Sequence, residues 1–237
     1  GMPPTKGTYV RYNHEAMVGI LALEAYRAGA LIVGEDLGVV EPWVREYLRE
    51  RGILGTSIGW FEKDDEGNPL PPEQWREYCL ASVTTHDLPP TAGYLDKDHI
   101  RLQHELGLLT ESLDAELALA DQEQAAYIGF LRERGFLTDP EPSTEEIVLA
   151  LHRYLVATPA RVLCAALPDA VGDRRTQNQP GTWKEYPNWR IPLSHPDGLP
   201  MTLEELYTDE RALRLAGVMN DFSAPPIARV ARDLGVE

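Results

Sequence analysis

Polar, reactive side chains follow a run of apolar or β-branched residues at two places in the sequence. Glu35 and Asp36 come directly after residues 30–34, and His86 and Asp87 come directly after residues 81–85. A third segment, residues 178–190, is rich in polar and aromatic side chains. Two carboxylates in different surroundings can share the work of glycoside chemistry, with one as general acid and the other as an anion. The spacing therefore indicates sugar chemistry as a candidate activity.

Glu35 is the candidate general acid. The run before it is continuous rather than alternating, which is typical of a strand covered on both faces in a parallel sheet. At the carboxyl end of such a strand Glu35 would be partly shielded from water, and burial raises the pKa of a carboxyl group. A general acid near neutral pH needs that shift. The same stretch also fits a strand that ends in two solvated acids.

Strand and helix signals alternate along the chain and would position these residues. Strands are predicted over 30–33, 53–58, 81–85 and 161–167, and helices over 13–28, 42–52, 73–79, 97–136, 143–157 and from 202 to a break at Pro225-Pro226. This alternation predicts βαβ units and a parallel sheet. Four strands are half the number in a complete (β/α)8 barrel.

Net charge, cysteine content and the lack of long apolar runs limit the binding partners and the cellular location that we expect. The 237 residues carry a formal net charge of -16, which argues against nucleic acid or an anionic membrane. Cys79 and Cys164 match neither a disulfide framework nor a zinc pattern, so we expect two reduced core residues. Neither a membrane-spanning apolar run nor a signal peptide is visible. We therefore expect a cytoplasmic protein.

Three motifs stand out in the sequence. They are Val33-Gly34-Glu35-Asp36-Leu37-Gly38, Thr84-Thr85-His86-Asp87, and Asn178-Gln179-Pro180-Gly181-Thr182 with Asn188-Trp189-Arg190. Together they resemble the motifs of the 4-alpha-glucanotransferases, also called amylomaltases or disproportionating enzymes. The spacing from Glu35 to Asp87 is also similar to the family's. The resemblance covers the chain from Gly1 to about Leu206, and residues 7–12 and 52–57 are similar to the bacterial branch.

The resemblance implies an α/β fold, namely the C-terminal half of a (β/α)8 TIM barrel with helical insertions. Residues 1–237 would form one partial catalytic domain with barrel strands five to eight and a helical insertion at about 97–142. The implied activity is retaining transfer of α-1,4-glucan segments to another sugar, in starch and glycogen metabolism. The implied ligands are α-1,4-glucans and maltooligosaccharides, with no cofactor and no metal.

The resemblance also implies roles for three residues at the reacting bond. Glu35 matches the family's general acid/base, which protonates the leaving oxygen and then deprotonates the incoming hydroxyl. Asp87 matches the carboxylate that holds the donor sugar's hydroxyls. His86 matches a histidine that contacts the same sugar. Asp87 must stay ionised, so its surroundings should be more polar than those of Glu35.

Further residues are candidates for binding sugar. By resemblance, Asn178 and Gly181 fall near acceptor-side positions in the loop after the last barrel strand. Trp60, Trp183 and Trp189 are candidate sugar platforms, although lone tryptophans are more often packing residues.

The chain departs from the family pattern in one respect. The family's nucleophile is an aspartate in an Arg-x-Asp-His motif, and no such motif occurs in these 237 residues. We therefore expect a carboxy-terminal part of the enzyme that is inactive alone. An isolated half-barrel exposes apolar surface and strand edges, so we also expect self-association.

Two other functions fit the same residues. One is a metal-dependent barrel enzyme with Glu35, Asp36, His86 and Asp87 as ligands, a donor set that a hard cation accepts. The other is a non-catalytic carbohydrate-binding protein. Metal analysis separates the first alternative from glucan transfer, and sugar binding without turnover identifies the second.

Overall fold

The chain is an α/β protein in the computed structural model, which describes residues 6–8 and 10–221. Its helices are α1 (His14–Ala28), α2 (Pro42–Arg49), α3 (Thr91–Leu95), α4 (Asp98–Glu105), α5 (Leu113–Glu133), α6 (Thr144–Val156), α7 (Leu167–Val171), α8 (Leu203–Leu206) and α9 (Glu210–Met219). Its strands are β1 (Gly55–Ile58), β2 (Cys79–Ser82) and β3 (Val162–Cys164).

Local capping signals determine where two helices begin. The side chain of Asn13 accepts a hydrogen bond from the Ala16 N–H at 3.2 Å, and α1 ends at Gly29 with φ +61°. The side chain of Ser143 accepts from the Glu146 N–H at 3.2 Å before α6. Each cap binds an N–H that the first helical turn leaves without a backbone partner. The predicted helices at 13–28 and 143–157 are confirmed.

The three strands form one sheet in the order β1-β2-β3. The Gly55 N–H donates to the Tyr78 carbonyl at 3.0 Å, and the Gly59 N–H donates to the Ser82 carbonyl at 2.9 Å. From the first of these bonds to the second, both the donor and the acceptor move four residues toward the C-terminus, so β1 and β2 run parallel. The predicted parallel sheet is confirmed, and β1 and β3 lie within their predicted ranges.

Two predicted strands differ in the structure. The stretch at 30–33 makes a single parallel bridge, between Val33 and Leu54. The strand predicted at 81–85 is β2, which ends at Ser82. It ends there because the Thr84 hydroxyl donates to the Pro89 carbonyl at 2.9 Å, and this bond closes a turn.

The predicted helices also differ in places. The helix predicted at 97–136 is two helices, α4 and α5, because Gly107 at φ +67° follows α4 and the Ser112 side chain caps α5. The helix predicted at 73–79 is a 3-10 turn at Pro72–Gln74, since Cys79 already belongs to β2. Helices α8 and α9 confirm the predicted helical tail, whose break at Pro225-Pro226 lies outside the described residues.

The chain divides into two compact units. The first contains residues 1–56 and 78–80, and the second contains residues 57–77 and 81–237. Strands β1 and β2 contribute residues to both. The prediction of one partial barrel domain over 1–237 stays a prediction.

The first unit exposes much apolar surface. Helix α1 has no buried residue, and its Met17, Ile20, Leu23 and Tyr26 are each more than half exposed. Exposed apolar surface of this kind promotes association. Self-association of the chain stays a prediction.

The core of the second unit lies around α6. Tyr154 is buried, its hydroxyl donates to the Leu70 carbonyl at 2.6 Å, and it accepts from Trp75 Nε1 at 2.8 Å. Helices α3, α5 and α9 pack against α6.

The two cysteines are free thiols with different surroundings. Cys79 is buried in β2, as predicted, but Cys164 is exposed at the end of β3, so its predicted core position is wrong. Strand β3 is an edge strand of the three-stranded sheet, and none of its three residues is fully buried. Among the described residues, no helix has both the length and the apolarity that a membrane span requires.

Candidate functional site

His86 and Asp87 lie in the turn that follows β2. Both side chains are about half exposed, and the Asp87 N–H donates to the Thr85 hydroxyl oxygen at 3.2 Å. The turn leads into α3 at Thr91. Polar side chains at this place agree with the prediction that the strand delivers them to its carboxyl end.

A buried carboxylate fixes the far end of this turn. Asp169 on α7 accepts hydrogen bonds from the Thr91 N–H and the Thr91 hydroxyl, both at 2.6 Å. Burial raises the pKa of Asp169 above its ordinary value. A carboxylate bound at the N-terminus of a helix holds that terminus in place. The turn that carries Asp87 therefore runs from β2 to a helix start that Asp169 holds in place.

Four residues from two distant segments meet at Asp87, and we call them the Asp87 cluster: His86, Asp87, Asn178 and Trp189. Asn178 Nδ2 donates to Asp87 Oδ1 at 2.6 Å, and His86 Nε2 lies 3.4 Å from Asp87 Oδ2. The rings of His86 and Trp189 are 5.0 Å apart between centroids. The fold thus brings together four residues that the sequence singled out in separate motifs.

The loop at 176–192, which carries Asn178 and Trp189, is closed at its base. Arg175 forms an ion pair with buried Asp173 at 3.1 Å and donates to the Pro192 carbonyl at 2.6 Å and to the Ser194 hydroxyl. Asp173 also accepts from the Ser194 N–H at 2.9 Å. These bonds tie the segment before the loop to the segment after it.

The same loop is cross-linked inside. The Gln179 N–H donates to the Asn188 side chain at 2.8 Å, and Asn188 Nδ2 donates to the Thr182 hydroxyl at 2.8 Å. The Tyr186 hydroxyl donates to the Thr176 carbonyl at 2.6 Å. A loop held by this many internal bonds can keep a polar side chain such as Asn178 in one orientation.

Trp189 has a backbone conformation that non-glycine residues rarely adopt. Its φ is +61°, and its N–H donates to the Gln177 carbonyl at 3.0 Å. The residue is 63% exposed, and its ring lies beside that of His86. Strained backbone of this kind persists where the surrounding structure requires it.

This strain predicts an order of stability for two substitutions. Trp189→Gly and Trp189→Ala both remove the ring, but only glycine adopts a positive φ without strain. We expect the glycine variant to have the higher free energy of unfolding, by about 1 kcal/mol, in urea titrations. At Trp183, an exposed tryptophan of the same loop without positive φ, glycine should not be the more stable of the pair. Alanine at or above glycine at position 189 would contradict the strain.

A cleft of about 600 Å³ lies beside Asp87 in the second unit. Three residues with predicted roles line it, namely Trp60, Asp87 and Gly181. Its other lining residues are Leu88, Pro89, Tyr94, His99, Gln103, Leu108, Thr176, Gln179 and Pro180. The cleft is large enough for a small ligand beside the carboxylate.

An aromatic stack forms one wall of this cleft. The Trp60 and Tyr94 rings stack at 4.3 Å, and the Tyr94 and His99 rings stack at 5.1 Å. Trp60 is only 8% exposed, because Tyr94 covers its face and Tyr127 contacts it edge to face. Trp60 therefore has little free ring surface for a sugar.

Tyr94, His99 and Gln103 have no signal in the sequence that marks them as lining a site. They follow no apolar run, and tertiary packing alone places them beside Asp87. Burial lowers the pKa of His99, which favours the neutral imidazole. The Tyr94 hydroxyl donates to Glu123 at 3.2 Å.

Glu35 belongs to the first unit and is exposed, whereas the sequence predicted partial shielding from water. The prediction fails because the stretch before Glu35 is not covered on both faces: Leu31 is 68% exposed and Val33 39%. Its neighbour Asp36 is the buried acid of the pair. Asp36 accepts from the Thr56 N–H at 2.9 Å and forms an ion pair with Arg45 at 3.4 Å.

The metal alternative gains no support. Within residues 6–8 and 10–221, no group of three or more His, Cys, Asp or Glu side chains is arranged to hold a metal ion. Asp36 is bound to a backbone N–H and to Arg45, and Asp87 is bound to Asn178.

Comparison with known proteins gives one consistent family. A family model described as 4-alpha-glucanotransferase matches residues 2–197. The 4-alpha-glucanotransferases of Mycobacterium bovis and Mycobacterium tuberculosis are each 62% identical to this chain over 233 residues, which is 96% of this chain and 32% of theirs. The chain therefore spans about a third of the length of these curated relatives.

Two solved amylomaltase structures are similar to this chain. The amylomaltase from Corynebacterium glutamicum superposes with a TM-score of 0.85 at 43% identity, covering 91% of this chain and 32% of that one. The amylomaltase from Streptococcus agalactiae in complex with acarbose has a TM-score of 0.56 at 21% identity, covering 85% and 34%, and shares the fold.

Proposed function

We propose that this chain, which belongs to the 4-alpha-glucanotransferase family, supplies the acid/base and donor-binding residues of a retaining transfer of α-1,4-glucan segments between sugars. The observation that carries the proposal is the Asp87 cluster beside an open cleft, in a member of this family. The proposed ligands are α-1,4-glucans and maltooligosaccharides, and the proposed location is the cytoplasm.

The proposed chemistry assigns each carboxylate one task. Glu35 protonates the leaving oxygen and afterwards deprotonates the acceptor hydroxyl. Asp87 holds hydroxyls of the donor sugar, with His86 beside it.

Sugar-binding roles are proposed for the remaining residues. Trp189 presents a mostly exposed ring next to His86 and offers a platform for a sugar face. Gly181 and the edge of Trp60 line the cleft, where we place the acceptor. Asn178 also falls near this acceptor side by family resemblance.

Retaining transfer also needs a nucleophile that holds the glycosyl group while the acceptor enters. Glu35 is occupied with the leaving oxygen, and Asp87 with the sugar hydroxyls. We propose that the nucleophile comes from polypeptide outside these 237 residues, in a protein of the length of the relatives. The chain alone would then bind sugar weakly and transfer none.

A graft tests this proposal. The 233-residue region of the Mycobacterium tuberculosis 4-alpha-glucanotransferase that matches this chain is replaced by the chain's own residues. We expect the grafted enzyme to release glucose from maltotriose, and the 237-residue chain alone to release none. A folded but inactive graft beside an active parent would refute the function. Release by the chain alone would show that the nucleophile lies within it.

A further inference from the structure

Asn178 binds both residues of the His86-Asp87 pair. Its side-chain amide donates to Asp87 Oδ1 at 2.6 Å, and its backbone N–H donates to the His86 carbonyl at 3.2 Å. A hydrogen bond to a carboxylate at this distance is short and directional. Asn178 is therefore committed to the carboxylate with one of its amide hydrogens.

The opposite oxygen of Asp87 lies near the His86 ring. His86 Nε2 is 3.4 Å from Oδ2, and the His86 and Trp189 rings are 5.0 Å apart between centroids. A half-exposed aspartate without such neighbours samples several rotamers, and ordering it costs entropy. The Asn178 hydrogen bond at Oδ1 and the His86 ring beside Oδ2 restrict the rotation of the carboxylate plane.

Asn178 itself is held firmly enough to serve as a support. It lies in the loop at 176–192, which Arg175 and Asp173 close at the base and Asn188 cross-links inside. The Trp189 N–H bond to Gln177 joins the two arms of the loop next to Asn178. The Asn178 amide is thus held in place before any ligand binds.

We propose that Asn178 is a positioning residue, which orients the Asp87 carboxylate toward the donor sugar instead of contacting the acceptor. This inference rests on the proposed function, and it differs from the acceptor-side role that family resemblance gives Asn178. It predicts that loss of the amide affects use of the donor and leaves recognition of the acceptor unchanged.

Kinetics of the grafted enzyme test the inference. Asn178→Ala should lower kcat/KM for maltotriose as donor by about 10- to 100-fold, the effect of a misplaced group in an active site, while KM for glucose as acceptor stays the same. Asp65→Ala, an exposed loop residue of the second unit that neither lines the cleft nor belongs to the Asp87 cluster, is the control and should change neither constant. A raised acceptor KM with an unchanged donor constant would overturn the proposal.

A double-mutant cycle separates action through Asp87 from direct sugar contact. If Asn178 acts through the carboxylate, adding Asn178→Ala to Asp87→Asn should cause almost no further loss. The full 10- to 100-fold loss in that background would mean that Asn178 acts on its own.

A second measurement uses the 237-residue chain and needs no turnover. The side-chain amide resonance of Asn178 in ¹⁵N-edited NMR spectra should shift on Asp87→Asn, because its carboxylate acceptor is gone. An unmoved resonance would refute the contact and with it the positioning role. An inactive wild-type graft would count against the proposed function, and the NMR result would still decide the inference.

Discussion

Replacing Gly93 with alanine is expected to lower the free energy of unfolding by about 3 kcal/mol, at the upper end of the usual cost of overpacking. Gly93 is buried in α3, and a Cβ there would lie 2.2 Å from the Arg174 carbonyl oxygen. That distance is far shorter than a normal carbon–oxygen contact. Either α3 or the backbone of Arg174 would have to move.

Moving either α3 or the Arg174 segment would disturb other contacts. The Arg174 guanidinium forms ion pairs with Asp98 at 2.7 Å and Asp96 at 3.0 Å, and α3 is fixed by the bonds of Thr91 to Asp169. The strain also reaches the candidate site, because the Asp87 turn precedes α3 and the loop at 176–192 follows Arg174.

Urea titrations of two glycine variants check this expectation. Gly129 lies in α5 and a Cβ there meets nothing within 4 Å, so Gly129→Ala should raise the free energy of unfolding by about 0.5–1 kcal/mol. The pair controls for the generic effect of alanine in a helix. A Gly93→Ala variant within 1 kcal/mol of wild type would show that the contact relaxes easily.

Local signals account for the parts of the fold that the sequence predicted well. Asn13, Gly29 and Ser143 set helix ends through bonds to residues no more than four positions away. The errors arise where tertiary contacts decide. Cys164 has apolar neighbours in sequence but is exposed at the end of β3. The Thr84 bond to Pro89 ends β2 early, although the β-branched run continues.

The candidate site shows the same division. His86, Asp87, Asn178 and Trp189 stand in recognisable motifs, so each could be singled out from the sequence. That Asn178 donates to Asp87, 91 positions away, follows only from the fold. The stacking of Trp60, Tyr94 and His99 likewise depends on packing between segments. Because of it Trp60, a predicted sugar platform, is mostly covered by its neighbours.

Glu35 is held in place by its neighbours rather than by contacts of its own carboxylate. On one side the Gly34 N–H donates to the Leu54 carbonyl at 2.7 Å, and a Cβ on Gly34 would crowd Ile53 and Leu48 at 3.3 Å. On the other side Asp36 is bound to the Thr56 N–H at 2.9 Å. This support leaves the Glu35 side chain exposed in the first unit, without the shielding from water that the sequence predicted.

If Glu35 has the proposed acid/base role, Glu35→Gln in the grafted enzyme is expected to lower transfer from maltotriose by about 10³-fold, within the range for loss of a general acid/base. The glutamine keeps the shape of the side chain but cannot give or take the proton. Glu41→Gln, an exposed residue just before α2 whose side chain makes no capping bond, is the matched control and should keep full activity.

A donor and acceptor that need no acid/base test the proposed role of Glu35 directly. Fluoride leaves without a proton, and azide attacks without a base, so α-maltosyl fluoride with azide bypasses both tasks proposed for Glu35. The Glu35→Gln variant should recover most of its activity with this pair. An equal loss with maltotriose and with the fluoride–azide pair would mean that Glu35 binds sugar or supports the fold, and that the acid/base lies elsewhere in the enzyme.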